Sequence, residues 1–292
     1  MKRIIALTMA VLMVVAVLAA CGNSNNTATE AAKATEAAKA TEAAKATEAA
    51  ATADQKAAGA DLDNIKAKGK LVVGITDFEP MDFHAEGGEW VGFDADMAKA
   101  FAGNLGVEVE FVEIDWDNKI LELNGGTVDC IWNGMTLTEE VTSAMDCSDP
   151  YCNNAQVVVV NKDSADKYAT ADACKELNFA VESGSAGQEQ AEAYGFKFTE
   201  VKDQATALME VASGTCDAAI IDSLMAAAMI GEGTGYAQLT YTASLNSEEY
   251  GVGFRKGSDL VAKCNEFFAA AKADGTMQAT AEKYGVQVAL IK

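Results

Sequence analysis

From residue 70 onward, apolar positions fall into two alternating rhythms. Residues 70–75 form a short apolar run between Gly69 and the polar pair Thr76-Asp77, the pattern of a buried strand. Met97, Phe101 and Leu105 then share one helical face, with Asp94 placed as a cap and Gly106 as a stop. Val107, Val109 and Phe111 alternate with Glu108 and Glu110, which predicts a half-exposed strand. Residues 117–123 predict a helix stopped by Gly125-Gly126, and residues 128–133 a second buried strand. The same grammar returns as a strand at 179–182, a helix at 186–194, a strand at 196–201, a helix at 204–212 with Leu208 and Val211 inward, and a strand at 216–222. Two helices, 258–273 and 276–284, close the chain. Strand alternating with helix places the chain in the α/β class. Gly126-Thr127-Val128-Asp129-Cys130 and Gly214-Thr215-Cys216-Asp217-Ala218 each follow a helix and open an apolar strand. That echo fits two similar lobes and not a solenoid array.

The amino terminus obeys different rules. Lys2 and Arg3 precede an apolar stretch from Ile4 to Ala20, and the small residues Ala19-Ala20 stand directly before Cys21. A basic start, a short apolar middle and small residues before a break make a secretory signal. The placement of the cysteine resembles the lipobox of a bacterial lipoprotein, which implies a signal over 1–20 and a lipidated Cys21 holding the chain to the bilayer. The alternative is a single membrane-spanning helix, but the stretch lies at the low end of spanning length and is followed at once by polar Asn23 to Asn26. Residues 21–60 then read as a tether, dominated by repeats of Thr-Glu-Ala-Ala-Lys-Ala that cannot bury a core. Glu/Lys pairs three apart, such as Glu36 with Lys39, favour a fluctuating helix and a semi-rigid spacer, roughly 45 Å long if fully helical.

Charge and cysteine content narrow the field further. The chain carries 44 acidic against 22 basic residues, a formal charge of −22, so no basic stripe exists to displace counterions and nucleic acid is excluded as a partner. Beyond Cys21 stand Cys130, Cys147, Cys152, Cys174, Cys216 and Cys264. Their even number allows disulfides, with Cys174 and Cys216 the candidate pair. A core this large has no need of staples, however, and free buried thiols are the favoured expectation. No Cys/His pattern suits a metal, and the sole histidine, His84, sits in a polar stretch read as a loop.

Several short motifs occur in a fixed order: Leu71-Val72-Val73-Gly74; Val91-Gly92-Phe93-Asp94-Ala95-Asp96-Met97-Ala98; Gly134-Met135-Thr136-Leu137-Thr138; Ser148-Asp149-Pro150-Tyr151; Asp222-Ser223; Tyr250-Gly251-Val252 with Arg255-Lys256-Gly257; and Lys272-Ala273-Asp274-Gly275-Thr276. Jointly they resemble the solute-binding proteins of polar amino acid ABC importers (bacterial solute-binding protein family 3), and the likeness spans residues 69–285. The resemblance implies a type II periplasmic-binding-protein-like fold, two α/β lobes joined by a two-strand hinge, with strands crossing near 156–160 and 250–254. Lobe 1 would comprise 61–156 and 251–292, and lobe 2 157–250. It also implies a monomer that carries a polar amino acid or amino-bearing small molecule to an ABC permease, with no cofactor, no metal and no catalytic residue.

Site residues carry over position by position. Phe78 and Trp116 match aromatic positions whose faces sandwich a ligand. Gly134 and Thr136 stand where a strand ends and offer backbone groups and a hydroxyl, with an ordinary turn as the alternative. Ser185 and Ala186, within Ser183-Gly184-Ser185-Ala186-Gly187, open a helix whose N-terminus suits an anion, and the same geometry serves a simple cap. Asp222 matches the carboxylate that receives the ligand's ammonium. Asn133, Trp132 and Asn153-Asn154 depart from the family's usual residues, and their polar groups either read the ligand or fill the rim.

One departure outweighs these matches. The family places an arginine five residues after the threonine of Gly-Met-Thr, where its fork grips the ligand's α-carboxylate, and here that position is Val141. Arg255 is the only arginine beyond Arg3, and it falls in a turn that is a surface feature of the family. Two readings stand open: a ligand without an α-carboxylate, or a changed amino acid site in which Lys119 and the Ser185 helix end supply the positive field. Lys119 is equally consistent with a solvent-facing helix position. Cyclohexadienyl dehydratases share the fold but need the missing arginine and a general acid. A signalling input that hands its closed form to a receptor would present the same lobes.

Overall fold

The computed structural model describes residues 60–292. The signal segment 1–20, Cys21 and the spacer repeats lie outside the described residues.

Helix α1 (Asp61–Lys68) leads into strand β1 (Lys70–Ile75), a hairpin of β2 (Phe83–His84) and β3 (Trp90–Val91), helix α2 (Phe93–Leu105) and strand β4 (Glu108–Glu113). Helix α3 (Lys119–Gly125), strand β5 (Cys130–Ile131), helix α4 (Glu139–Ala144) and strand β6 (Asp146–Cys147) follow. The chain then passes through β7 (Cys152–Asn154) and β8 (Gln156–Asn161) to β9 (Asn178–Glu182), α5 (Ala186–Tyr194), β10 (Lys197–Val201), α6 (Gln204–Ser213), β11 (Ala218–Asp222), α7 (Ser223–Met229) and β12 (Leu239–Ser244). It returns through β13 (Glu248–Tyr250) to β14 (Gly253–Phe254) and ends in α8 (Leu260–Asp274) and α9 (Thr276–Tyr284).

Two five-stranded sheets result, ordered β4-β1-β5-β14-β6 and β10-β9-β11-β8-β12. In each, three strands lie parallel and the fourth joins antiparallel, β14 on β5 in one and β8 on β11 in the other. The repeated Gly-Thr-x-Asp motif explains part of this likeness. Gly126 and Gly214 end α3 and α6 in the left-handed conformation, at φ 77° and 79°, where a side chain would be strained. The aspartate that follows locks the sheet edge. Asp129 donates its N–H to the Val72 carbonyl at 2.8 Å and accepts the Val72 N–H on its carboxylate at 2.8 Å. Asp217 does the same with Asn178, at 3.0 Å each way. One turn chemistry thus sets the register of both sheets.

The first sheet packs against α2 and α8 through Phe101, Trp132, Phe267 and Phe268, whose ring centroids lie 5.4–6.0 Å apart. Trp132 is therefore core and not rim. In the second sheet, Phe179 stacks on Phe196 at 4.7 Å.

Several expectations shift in detail. The short strands that join the lobes are β7 and β13, paired antiparallel, while 156–160 belongs fully to the second sheet and 250–254 splits between β13 and β14. Helix α2 begins at Phe93, with Gly92 at its cap position, so Asp94 turns inward and becomes fully buried. His84 lies in the β2–β3 hairpin, its ring 3.8 Å from Trp90. All six described cysteines are free, and Cys174 donates its thiol hydrogen to the Tyr168 and Thr170 carbonyls, so the Cys174–Cys216 pairing is corrected.

Arg255 also departs from its expected surface turn. Its side chain is only 17 % exposed, pairs with Asp61 at 3.0 Å and Asp129 at 3.6 Å, and donates to the Leu123 and Val128 carbonyls. Removing Arg255 from such a cluster weakens the compensation of buried charge, with Lys68 left to pair with Asp129. Arg255→Ala is expected to lower unfolding stability by about 3 kcal/mol, read from a urea titration. A loss within about 0.5 kcal/mol would mean that the aspartates are satisfied without it.

Candidate functional site

Between the two sheets lies a cavity with about 430 Å³ of empty space, part of it open to solvent. Nine of the positions singled out from the sequence line it, while Trp132, Asn153 and Asn154 do not. Phe78, Trp116, Lys119, Asn133, Gly134 and Thr136 come from the first lobe, and Ser185, Ala186 and Asp222 from the second. Val141 lines it as well, 2 % exposed, so the position where the family carries arginine presents an aliphatic wall.

The first wall is fixed by buried polar groups behind it. Gly134 has φ 52° and donates its N–H to Asp94 at 2.6 Å, while the same carboxylate oxygen accepts the Tyr151 hydroxyl at 2.6 Å. A Cβ at Gly134 would lie 2.5 Å from Phe78 Cε1, so glycine both permits the turn and lets the Phe78 ring approach. Phe78 in turn meets Tyr250 edge-on at 6.4 Å. The Asn133 amide is spent inside the lobe, accepting from Thr76 and donating to the Thr76 carbonyl and to Asp82 at 2.8 Å. It shapes the wall, and its polar atoms serve the fold. The Thr136 hydroxyl donates to Glu248 at 2.9 Å.

Ser185 caps α5, its hydroxyl accepting the Gln188 N–H at 3.2 Å, which presents the helix N-terminus to the cavity. Lys119 bridges the two walls. It is 4 % exposed, lies over the Trp116 ring and donates to the Gly184 carbonyl at 2.7 Å, so the solvent-facing alternative is ruled out. Burial holds its ammonium below the usual lysine range, against the pull of Glu140, Glu182, Asp117 and Glu189. Gly184, at φ 69°, is the other glycine the site requires, because a Cβ there would come within 2.7 Å of the Asp117 Cα across the cleft.

Asp222 ends β11 inside a dense network. One carboxylate oxygen accepts from Asn154, from Gln156 at 3.1 Å and from the Tyr250 hydroxyl at 2.6 Å, and the other accepts from Gln204. Each carboxylate oxygen offers about two acceptor sites, so the second oxygen, which accepts only from Gln204, keeps room for another donor. Burial and then Glu248 push Asp222 up to about 7, with its hydrogen bonds opposing. Asn154 serves this network, and Asn153 donates to the Ala289 carbonyl away from the cavity.

Sequence reasoning missed Glu182, Gln204, Glu140 and Glu189, which also line the cavity. Glu182 is the most unusual, 3 % exposed at the end of β9 with its Oε1 lacking any hydrogen-bond partner. Burial and then Asp222 push it up to about 8. The available signal was a charge ending an otherwise apolar strand run, Phe179-Ala180-Val181, where a carboxylate is costly.

Asp94, Asp222 and Glu182 are thus raised in the fold to about 7, 7 and 8. Groups raised in the fold bind protons that the unfolded chain releases, so their contribution is complete at low pH and is lost as pH climbs through the folded values. Stability of the ligand-free protein is expected to fall from about pH 5 to about pH 8, by up to about 1.4 kcal/mol per pH unit for each such group. Thermal melts at high salt, which screens surface repulsion, provide the measurement. A flat or rising profile would show these carboxylates ionised throughout.

The model of the bacterial extracellular solute-binding proteins, family 3, matches residues 71–287. The chain is 29 % identical over 227 residues to the L-cystine-binding protein TcyJ of Escherichia coli strain K12, covering 76 % of this chain and 85 % of that one. It is 30 % identical over 224 residues to the arginine-binding extracellular protein ArtP of Bacillus subtilis strain 168, covering 74 % and 86 %. Among solved structures, a mutant of ArgBP from T. maritima superposes with a TM-score of 0.73 at 35 % identity, covering 77 % of this chain and 98 % of that one. With the family match running through both lobes and every wall of the cavity, the chain belongs to the bacterial extracellular solute-binding proteins of family 3.

Proposed function

We propose that this protein is the lipid-tethered extracytoplasmic receptor of an ABC importer, holding a polar amino acid or related amino-bearing small molecule in the inter-lobe cavity and presenting its closed form to the permease. Lobe 1 (61–156 and 251–292) and lobe 2 (157–250) form the jaws, and acylated Cys21 is the anchor. The convergence of Phe78, Trp116, Gly134, Thr136, Ser185, Ala186 and Asp222 on one cavity between two sheets carries the reading. In it, Phe78 and Trp116 flank the ligand, the second oxygen of Asp222 takes its ammonium, and Lys119 with the Ser185 helix end faces any anionic group. Lys119 supports the reading, because its bond to the Gly184 carbonyl joins the two walls. Lys202 pairs with Glu113 at 2.7 Å across the same gap.

A thermal-shift screen of amino acids and amines followed by calorimetry tests the ligand class. One such compound is expected to raise Tm, and Asp222→Ala is expected to weaken its binding at least about tenfold, because a charge-assisted hydrogen bond contributes about 1.5–3 kcal/mol. Loss of stability in that variant with affinity unchanged would make Asp222 structural only. For the anchor, Cys21→Ser is expected to abolish incorporation of labelled palmitate and release the protein from membranes. Unchanged membrane retention would exclude lipidation as the tether.

A further inference from the structure

The cavity is lined by four carboxylates, Glu140, Glu182, Glu189 and Asp222, and by one ammonium, Lys119. Two of the four are buried side by side. Gln204 donates to both, reaching Glu182 Oε2 at 3.4 Å and also the second oxygen of Asp222, while Glu182 Oε1 receives nothing. One ammonium offsets only one of the four charges, and its identified donors go to the Gly184 and Trp116 carbonyls and not to a carboxylate. A single ammonium placed at Asp222 would offset one buried charge and leave Glu182 either unpaired or protonated. An unpaired buried carboxylate is among the costliest features a fold can keep.

We infer that Glu182 is a second ligand-binding carboxylate, and that the solute carries two cationic groups, as a dibasic amino acid or a diamine does. The inference rests on the solute-binding reading and narrows its ligand class. With Val141 removing the family's guanidinium, the field in the cavity is negative, which favours a doubly positive solute over a neutral amino acid. Glu140 and Glu189, both exposed at the rim, add to the field that draws a cation inward. Glu182 faces Asp222, Asp203 and Lys119 and shares the cavity with Glu140 and Glu189. The carboxylates outnumber the lysine, so the ligand-free cavity favours a protonated Glu182. An arriving cation takes over the proton's role, and the proton leaves to buffer.

The test uses the full mature chain and matched probes: L-arginine against L-citrulline, L-lysine against L-norleucine, and agmatine and cadaverine, which keep two cationic groups but no carboxylate. Calorimetry is expected to show at least one doubly cationic probe binding tenfold or more tighter than its neutral counterpart, with proton release seen as a dependence on buffer ionisation enthalpy near neutral pH. Glu182→Gln, which keeps the shape, is expected to cost that probe at least tenfold and to reduce the proton release to the share that Asp222 supplies, with neutral probes unaffected. Agmatine or cadaverine binding as tightly as the amino acids assigns a diamine, and preference for arginine or lysine assigns a dibasic amino acid. Binding of neutral amino acids alone would overturn the inference while leaving the solute-binding reading intact, as would unchanged affinity in Glu182→Gln. Failure of every doubly cationic probe overturns it as well, and this outcome needs no variant to fold.

Discussion

Two side-chain amides, those of Asn154 and Gln156, sit between two carboxylates at the junction of the lobes. Each donates to both Asp222 and Glu248, and Asn154 also accepts from the Ser223 hydroxyl at the start of α7. A buried acid and a half-buried one this close repel unless donors stand between them, and amides supply donors without adding a charge of their own. Asn154 and Glu248 stand on β7 and β13, the short strands that join the lobes, while Gln156 and Asp222 stand on β8 and β11 of the second sheet. Correct placement of the carboxylate at the cavity floor is therefore inseparable from correct joining of the lobes. Tyr250 extends the coupling, donating its hydroxyl to Asp222 while its ring meets Phe78 on the opposite wall.

The loss of arginine at Val141 changes the meaning of its surroundings. In a cavity holding a guanidinium, acids on the far wall would be balanced from within. Here the position is a buried valine, and the ammonium at hand, Lys119, is committed to the Gly184 carbonyl across the gap and the Trp116 carbonyl on its own side. Lys119 thus acts first as a strut between walls. The negative excess is left for something that enters from solution, which sets this cavity apart from one built around a zwitterion with a gripped carboxylate.

Much of the fold was legible because it rests on local chemistry. Gly106, Gly126 and Gly214 end helices where the sequence places them, and α5 and α9 match their expected bounds, 186–194 and 276–284. The cavity residues were legible through motif order. What escaped was tertiary. Asp94 has the composition of a cap, but its carboxylate is drawn inward because Gly134 and Tyr151 need an acceptor there. Arg255 reads as part of a surface turn, and only the folded chain brings Asp61 and Asp129 to it. Trp132 reads as a rim residue until Phe101 and Phe268 close over it. Glu182 is the instructive case, since its oddity was visible in the strand pattern but its lack of a partner was not.

The contacts between the walls shut over two acids that the second sheet already holds side by side, Glu182 on β9 and Asp222 on β11, and this links closure to occupancy. Lys119 on Gly184 and Glu113 on Lys202 draw the walls inward, while closure dehydrates Glu182 and Asp222 and raises the cost of keeping both ionised. Without a ligand, that cost is met by taking up protons or by opening. A cation between the walls removes the need for either, so its binding energy is expressed as a shift toward the closed form. In the proposed clamp, the differential affinity that such a shift requires would come from the desolvation that both carboxylates show in this structure. Charge burial, an expense in most folds, is here the quantity through which a small solute controls the shape of the whole protein.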